Sequence, residues 1–270
     1  MLLLESRRAR EMASIVTSYA GVPISAPSMR EVPLESNTEA ALAARTVIDG
    51  GFDCVVLLTG VGTRAWLDVA DQVCGAREPF ITALRRVRVA VRGPKPLAVM
   101  RELQVPVWVT APEPNTWRDL LAALDAAGTS AIRDARVAVQ EYGMSNPELL
   151  AGLGERGAHV TRVPVYQWTL PEDLEPLRHG ISSLTDGAVD VALFTTGTQI
   201  VHLMQVAGEM QQEDAARSAL QRVTVASIGP TTTEELKRHG IEPTLEASHP
   251  KMGFLVREAA ELMSGLDDRA

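Results

Sequence analysis

The sequence predicts an α/β protein made of two flavodoxin-like parallel-sheet domains that arose by internal duplication and are joined by extended linkers. Three observations carry that expectation. They are a self-similarity with a period close to half the chain, apolar strand-like runs at regular spacing, and a composition dominated by Ala, Val and Leu. Of the 270 residues, 46% are hydrophobic and only 4% aromatic, a balance that suits buried parallel strands covered by alanine-rich helices. A chain of this length exceeds what one core usually serves, so two domains are the natural division.

Taken in order, Leu2-Leu3-Leu4 reads as a first strand and is followed by a helix ending near Gly21. Asn37 or Thr38 can cap a helix that runs to Asp49, and the apolar run 53–59 is the next strand. Val89-Ala90-Val91 leads through Gly93-Pro94 into a helix over 97–103 and a short strand at Val105-Pro106-Val107. Val137-Ala138-Val139 starts the second round, in which Asn146-Pro147 opens a helix as N-cap and first-turn proline and Gly157 closes it. Runs over 190–196 and 225–228, a helix over 233–239 and Ile241-Glu242-Pro243 complete the pattern.

The two rounds keep register. Asp53 answers Asp190, Gly93 answers Gly229, Pro106 answers Pro243 and Gly21 answers Gly157, each pair 136 or 137 positions apart. A tandem β-α-β-α-β-α-β unit with right-handed crossovers follows.

Charge and motif content narrow the function. Acidic residues outnumber basic ones 34 to 26, for a net charge of −8, which gives nucleic acid or a membrane surface no electrostatic hold. The start turns charged after three leucines and no apolar run reaches the ~18 residues of a membrane span, so a cytoplasmic protein is expected. A monomer is expected too, for want of an apolar surface stripe. Cys54 and Cys74 read as structural thiols. The histidines, His159, His179, His202, His239 and His249, fall on presumed helices or distal turns without ligand spacing, and no metal is expected. Neither a GxSxG elbow nor a Walker lysine motif occurs. Gly60-Val61-Gly62-Thr63-Arg64-Ala65 fits GxGxxA between a strand and a helix, and keeps a small-ligand or nucleotide-binding protein as the alternative reading. Against it, the motif does not follow the first strand of a unit and its duplicate copy keeps only one glycine.

Parallel α/β sheets bind ligands at the carboxyl ends of their strands. The candidates there are Ser6-Arg7-Arg8, Thr59 with Thr63 and Arg64, Arg92-Gly93-Pro94-Lys95, Gln140-Glu141-Tyr142-Gly143, Thr196 with Thr198, and Gly229-Pro230-Thr231-Thr232. Hydroxyls, glycines and scattered cations suit a polyanionic ligand, with exposed amides at the Gly229 turn as an anion site. Tyr166, in Val165-Tyr166-Gln167 before the Pro171-Glu172-Asp173 segment, is expected to turn its hydroxyl into a groove.

In order along nearly the whole chain, Val165-Tyr166-Gln167, Leu193-Phe194-Thr195-Thr196 and Ile228-Gly229-Pro230-Thr231-Thr232, set in a duplicated framework, resemble the uroporphyrinogen-III synthase family. The resemblance implies a discontinuous domain of residues 1–32 and 172–264, a second domain of residues 33–171, and two linkers at Glu31-Val32-Pro33-Leu34-Glu35 and Gln167-Trp168-Thr169-Leu170-Pro171. It implies a cofactor-free lyase of porphyrin and heme biosynthesis that closes hydroxymethylbilane to uroporphyrinogen III, losing water and inverting ring D. The substrate's instability allows a transient contact with the preceding pathway enzyme.

By the same resemblance Tyr166 is the general acid at the leaving hydroxyl, since a phenol with a pKa of about 10 stays protonated at neutral pH. Arg7, Thr63, Arg64, Arg92, Gly93, Lys95, Tyr142, Thr196, Thr198, Gly229, Pro230, Thr231 and Thr232 are the expected substrate contacts. Two departures from the family pattern stand out. Arg92-Gly93-Pro94-Lys95-Pro96 replaces a small residue and threonine after the glycine, and Gln199 stands where glycine is common.

Overall fold

The computed structural model describes residues 1–32, 37–72, 75–128, 132–141, 143 and 145–267, except the side chains of 266 and 267. Cys74, Tyr142 and linker residues 33–35 lie outside the described residues. Along the chain run β1 (Leu2–Leu3), α1 (Ala9–Ser18), β2 (Ile24–Ser25), β3 (Arg30–Val32), α2 (Thr38–Ile48), β4 (Cys54–Leu57), α3 (Gly60–Gln72), α4 (Arg77–Leu84), β5 (Arg88–Val91), α5 (Pro94–Glu102), β6 (Val109–Thr110) and α6 (Trp117–Ala126). There follow β7 (Arg136–Gln140), α7 (Pro147–Glu155), β8 (His159–Val163), β9 (Gln167–Thr169), α8 (Glu175–Thr185), β10 (Val191–Phe194), α9 (Gly197–Glu209), α10 (Glu213–Leu220), β11 (Thr224–Ser227), α11 (Pro230–Arg238), β12 (Leu245–Glu246) and α12 (Met252–Asp267).

The chain divides into two compact units, Met1–Arg30 with Trp168–Ala270, and Glu31–Gln167. In the first, a five-stranded sheet runs β12-β11-β10-β1-β2. Counted in chain order within the unit this is 2-1-3-4-5, the flavodoxin order. In the second the order is β6-β5-β4-β7-β8, the same arrangement entered at its third strand. The pairings within both sheets are parallel, with Leu2 opposite Ala192 in one and Cys54 opposite Val137 in the other. β3 and β9 form a two-stranded ladder of their own.

Alternation along the strands builds a core on each face of the first sheet. Leu2, Leu4, Ala192 and Phe194 pack with α8 and α9, while Leu3, Val191 and Leu193 pack with Met12 and Val16 of α1 and Leu255, Val256 and Ala259 of α12. Burial on both faces explains why these strands are apolar throughout and do not alternate with polar residues. In the second unit Val56, Val137 and Val139 pack against Leu120 and Leu124 of α6 and Leu149 and Leu153 of α7. Trp66 of α3 meets Phe80 of α4 with ring centroids 5.1 Å apart and donates Nε1–H to Ala40 O of α2 at 2.9 Å. Cys54 is buried, and desolvation of its thiolate pushes the thiol pKa up to about 12.

Helix ends follow the turn chemistry with two corrections. Asn146 accepts from Leu149 N at 2.9 Å with Pro147 in the first turn of α7, and Gly157 takes φ +84° after its last turn. At the matching end of α1 the left-handed residue is Ala20, φ 59°, and Gly21 comes one position later. Asn37 flanks α2 without a side-chain cap, its Oδ1 buried and unpaired.

The expected strands at 105–107 and 241–243 also shift. Pro106 and Pro243 have no N–H for a ladder, so pairing resumes just beyond them, where Trp108 N and Thr244 N donate to Val89 O and Val225 O, each at 2.8 Å.

Candidate active site

Each sheet has one switch point, where the chain leaves neighbouring strands in opposite directions and opens a crevice at their carboxyl ends. In the first unit it lies between β1 and β10, and in the second between β4 and β7. Glu5, just past β1, accepts a hydrogen bond from Thr195 Oγ1, just past β10, at 2.6 Å. Its other oxygen takes Arg8 N at 3.2 Å. Gln199, in the first turn of α9, accepts Thr195 N at 2.7 Å and Thr196 N at 3.3 Å through Oε1, and donates Nε2–H to Thr195 Oγ1 at 2.9 Å.

At the other switch point the same amide pair is held from a different place. Gln140, the last residue of β7, accepts Leu58 N at 3.2 Å and Thr59 N at 3.3 Å, and its amide nitrogen donates to Glu141 O. Glu141 is bound by Arg162 of β8 through two 3.0 Å bonds and by Ser145 Oγ at 2.8 Å. Strand register makes the two sites comparable. Val139 opposes Val56 as Leu3 opposes Leu193, which sets Gln140 against Leu4, Glu141 against Glu5 and Gly62 against Gln199.

Several expected contacts gather at these ends. Arg7 lies over the Trp168 ring of β9, 4.7 Å from its centroid, a cation–π arrangement. Thr196 is partly buried beside Gln199, Thr198 is buried in the first turn of α9, and Gly229, Pro230, Thr231 and Thr232 form the entry to α11, with only Thr231 exposed. The Gly229 turn is pinned from beneath, because buried Ser227 Oγ contacts Gly229 O at 2.9 Å, Gly229 N at 3.2 Å and Thr233 Oγ1 at 2.8 Å. In the second unit Arg92 is half-buried after β5, Gly93 is buried, and Lys95 is exposed in the first turn of α5.

Others are engaged or covered within the protein. Thr63 is 2% exposed and donates its hydroxyl to Thr59 O at 2.7 Å, absorbed by its own helix turn. Arg64 points away along α3 to an ion pair with Glu102, at 2.5 Å, on the last residue of α5. Of the amides at these ends, those of Thr195 and Thr196 go to Gln199 and that of Gly229 to Ser227. Tyr166 lies between β8 and β9 and is 5% exposed, a covered side chain.

Glu5 and the capping roles of Gln140 and Gln199 escape a reading of motifs because each acts on a neighbour chosen by strand register. Pairing the two halves residue by residue is the signal that finds them. His202 is another omission. Buried on α9, it contacts Ser28 O through Nδ1 at 2.7 Å, and burial holds its pKa below the usual imidazole value despite that bond. Among the described residues no group of three or more His, Cys, Asp or Glu could hold a metal, and no helix is long and apolar enough to cross a membrane.

Comparison with known proteins covers this same framework. The chain is 31% identical over 237 residues, 87% of each chain, to a putative uroporphyrinogen-III synthase of Methanothermobacter thermautotrophicus. It is 30% identical over 258 residues, 95% of this chain and 93% of the other, to an uncharacterized protein of Bacillus subtilis, YjjA. A mutant uroporphyrinogen III synthase from the extremely thermophilic bacterium Thermus thermophilus has the same fold, with a TM-score of 0.76 over 98% of both chains at 22% identity. The family model described as uroporphyrinogen-III synthase HemD matches residues 10–257, from the first helix into α12. With that extent of match, the chain belongs to the uroporphyrinogen-III synthase (HemD) family.

Proposed function

We propose that this enzyme of tetrapyrrole biosynthesis closes hydroxymethylbilane to uroporphyrinogen III, with loss of water and inversion of ring D. The observation that carries the reading is the family match over residues 10–257. The reaction needs a proton donor at the leaving hydroxyl and a surface that folds a linear tetrapyrrole for closure, both within reach of side chains alone.

On this reading Tyr166 donates the proton, and the Gly229–Thr231 turn, Thr196, Arg7, Arg92 and Lys95 hold propionate and acetate groups. Arginine suits two-point carboxylate contacts, and lysine supplies a looser point charge. Arg7, already oriented by Trp168, loses less side-chain freedom on binding.

The test is isomer analysis with substrate generated in situ. Without an enzyme the linear tetrapyrrole closes to the type I isomer, so added protein should divert the product to type III. Type I product alone, from folded protein, would overturn the reading.

A further inference from the structure

The duplication supplies an internal control for Glu5. Its counterpart Glu141 is neutralised, since two bonds from Arg162 and one from Ser145 satisfy a side chain that is 5% exposed. Glu5 holds the equivalent place at the other switch point. Among the described residues its hydrogen bonds come from neutral donors only, the Thr195 hydroxyl and the Arg8 amide. The Arg8 guanidinium pairs with Glu11 and acts on Glu5 only through space. One copy of the carboxylate is a structural ion pair, and the other, at the ligand end of the sheet, forms none among the described residues.

That charge is also aimed. Thr195 Oγ1 receives the Gln199 Nε2 proton at 2.9 Å, so the single hydroxyl proton is committed to Glu5 Oε2 at 2.6 Å. Gln199 in turn is anchored by the two amides that it caps. The carboxylate is therefore fixed before any ligand arrives, as electrostatic preorganisation requires.

A carboxylate held without an ion pair is a liability toward a polycarboxylate substrate in its ground state. It becomes favourable only where positive charge develops. In the reaction proposed above, the hydroxymethyl C–O bond breaks with its electron pair going to oxygen, which takes a proton from the general acid and leaves as water. The pyrrole nitrogen lone pair feeds the electron-poor carbon, and the ring carries one positive charge until the new C–C bond forms and a proton is lost.

We propose that Glu5 is the catalytic carboxylate that stabilises this cation, and that Thr195 is its positioning residue. The proposal rests on the functional reading above. Stabilisation confined to the charged intermediate raises turnover without tightening substrate binding.

The experiment compares Glu5→Gln, Glu5→Asp, Thr195→Val and Thr195→Ser with wild type for kcat, KM, isomer ratio and melting temperature. Glu5→Gln should lower kcat by about tenfold to a hundredfold while KM stays level or falls, because a repulsive charge has gone. Glu5→Asp should keep more activity than Glu5→Gln. Thr195→Val should lower kcat at constant KM, and Thr195→Ser should restore it. If Glu5→Gln does not fold, the threonine pair decides. Wild type that yields type III isomer alongside Glu5→Gln, or Thr195→Val, with unchanged kcat would overturn this proposal alone. Wild type that yields only type I would overturn the functional reading and this proposal with it.

Discussion

Gly62 and Gln140 occupy one space: a Cβ built on Gly62 would lie 2.0 Å from Gln140 Nε2 and 2.6 Å from its Cδ. The glycine thus leaves room for the amide of a side chain from β7, 78 positions away in sequence, although its place in GxGxxA suggests a bound phosphate. The other half solves the same problem in reverse, with Gln199 at the position of Gly62 and Leu4 at that of Gln140. One glutamine caps the strand-end amides in each half, and the position not used is small or apolar.

Gly62→Ala should therefore push Gln140 off the amides of Leu58 and Thr59 and destabilise the protein by about 2–3 kcal/mol. Gly62→Gln alone should be worse. The double variant Gly62→Gln with Gln140→Leu recreates the arrangement of the first unit and should be more stable than Gly62→Gln. Thermal melting of wild type, Gly62→Gln, Gln140→Leu and the double variant checks the non-additivity.

Two arginines should separate sharply in their cost. Arg162→Ala strands the buried Glu141 carboxylate and should cost about 3–5 kcal/mol. Arg30 pairs with Glu172 at 2.8 Å with both side chains well exposed, 46% and 80%, so Arg30→Ala should stay within about 1 kcal/mol. Denaturant unfolding of both variants measures the difference.

His202 makes stability depend on pH in one direction. Its pKa is lowered by burial, so the neutral ring is favoured in the folded state and its full contribution is present above the unfolded value of about 6.5. As pH falls through that value toward the lower folded one, the unfolded chain takes up the proton first and stability is lost. His202→Asn keeps a donor for Ser28 O without a titrating ring. Between pH 7.5 and 5.5 its melting temperature should fall less than that of wild type.

Tyr166→Phe tests the proposed proton donor without emptying its site, since the ring is retained where only 5% of the side chain is exposed. Turnover to the type III isomer should drop by roughly tenfold to a thousandfold, with melting temperature little changed. Unaltered turnover would leave Tyr166 with a packing role alone.

The sheets were legible because their signal is local: four consecutive buried residues, Cys54–Leu57 or Val191–Phe194, then Thr and Gly, repeated half a chain later. The candidate site was less so. Thr63 looks like a ligand contact in a motif, but helical geometry sets its hydroxyl over the carbonyl four residues back. Arg64 looks like a strand-end cation, but its place on α3 turns it toward Glu102. Glu5 and Thr195 lie 190 residues apart, and only the parallel pairing of β1 with β10 brings them to 2.6 Å. No spacing rule contains that distance.

The strand order also bears on how the chain can be made. Leu2 and Leu3 leave the ribosome about 190 residues ahead of their partners Ala192 and Leu193, roughly 10–40 s at ordinary elongation rates of ~5–20 residues per second. All five strands of the β6-β5-β4-β7-β8 sheet are synthesised inside that interval. The N-terminal β1–α1–β2 segment must therefore wait, its apolar strand unpaired on the far side, until the last third of the protein emerges to close the sheet around it.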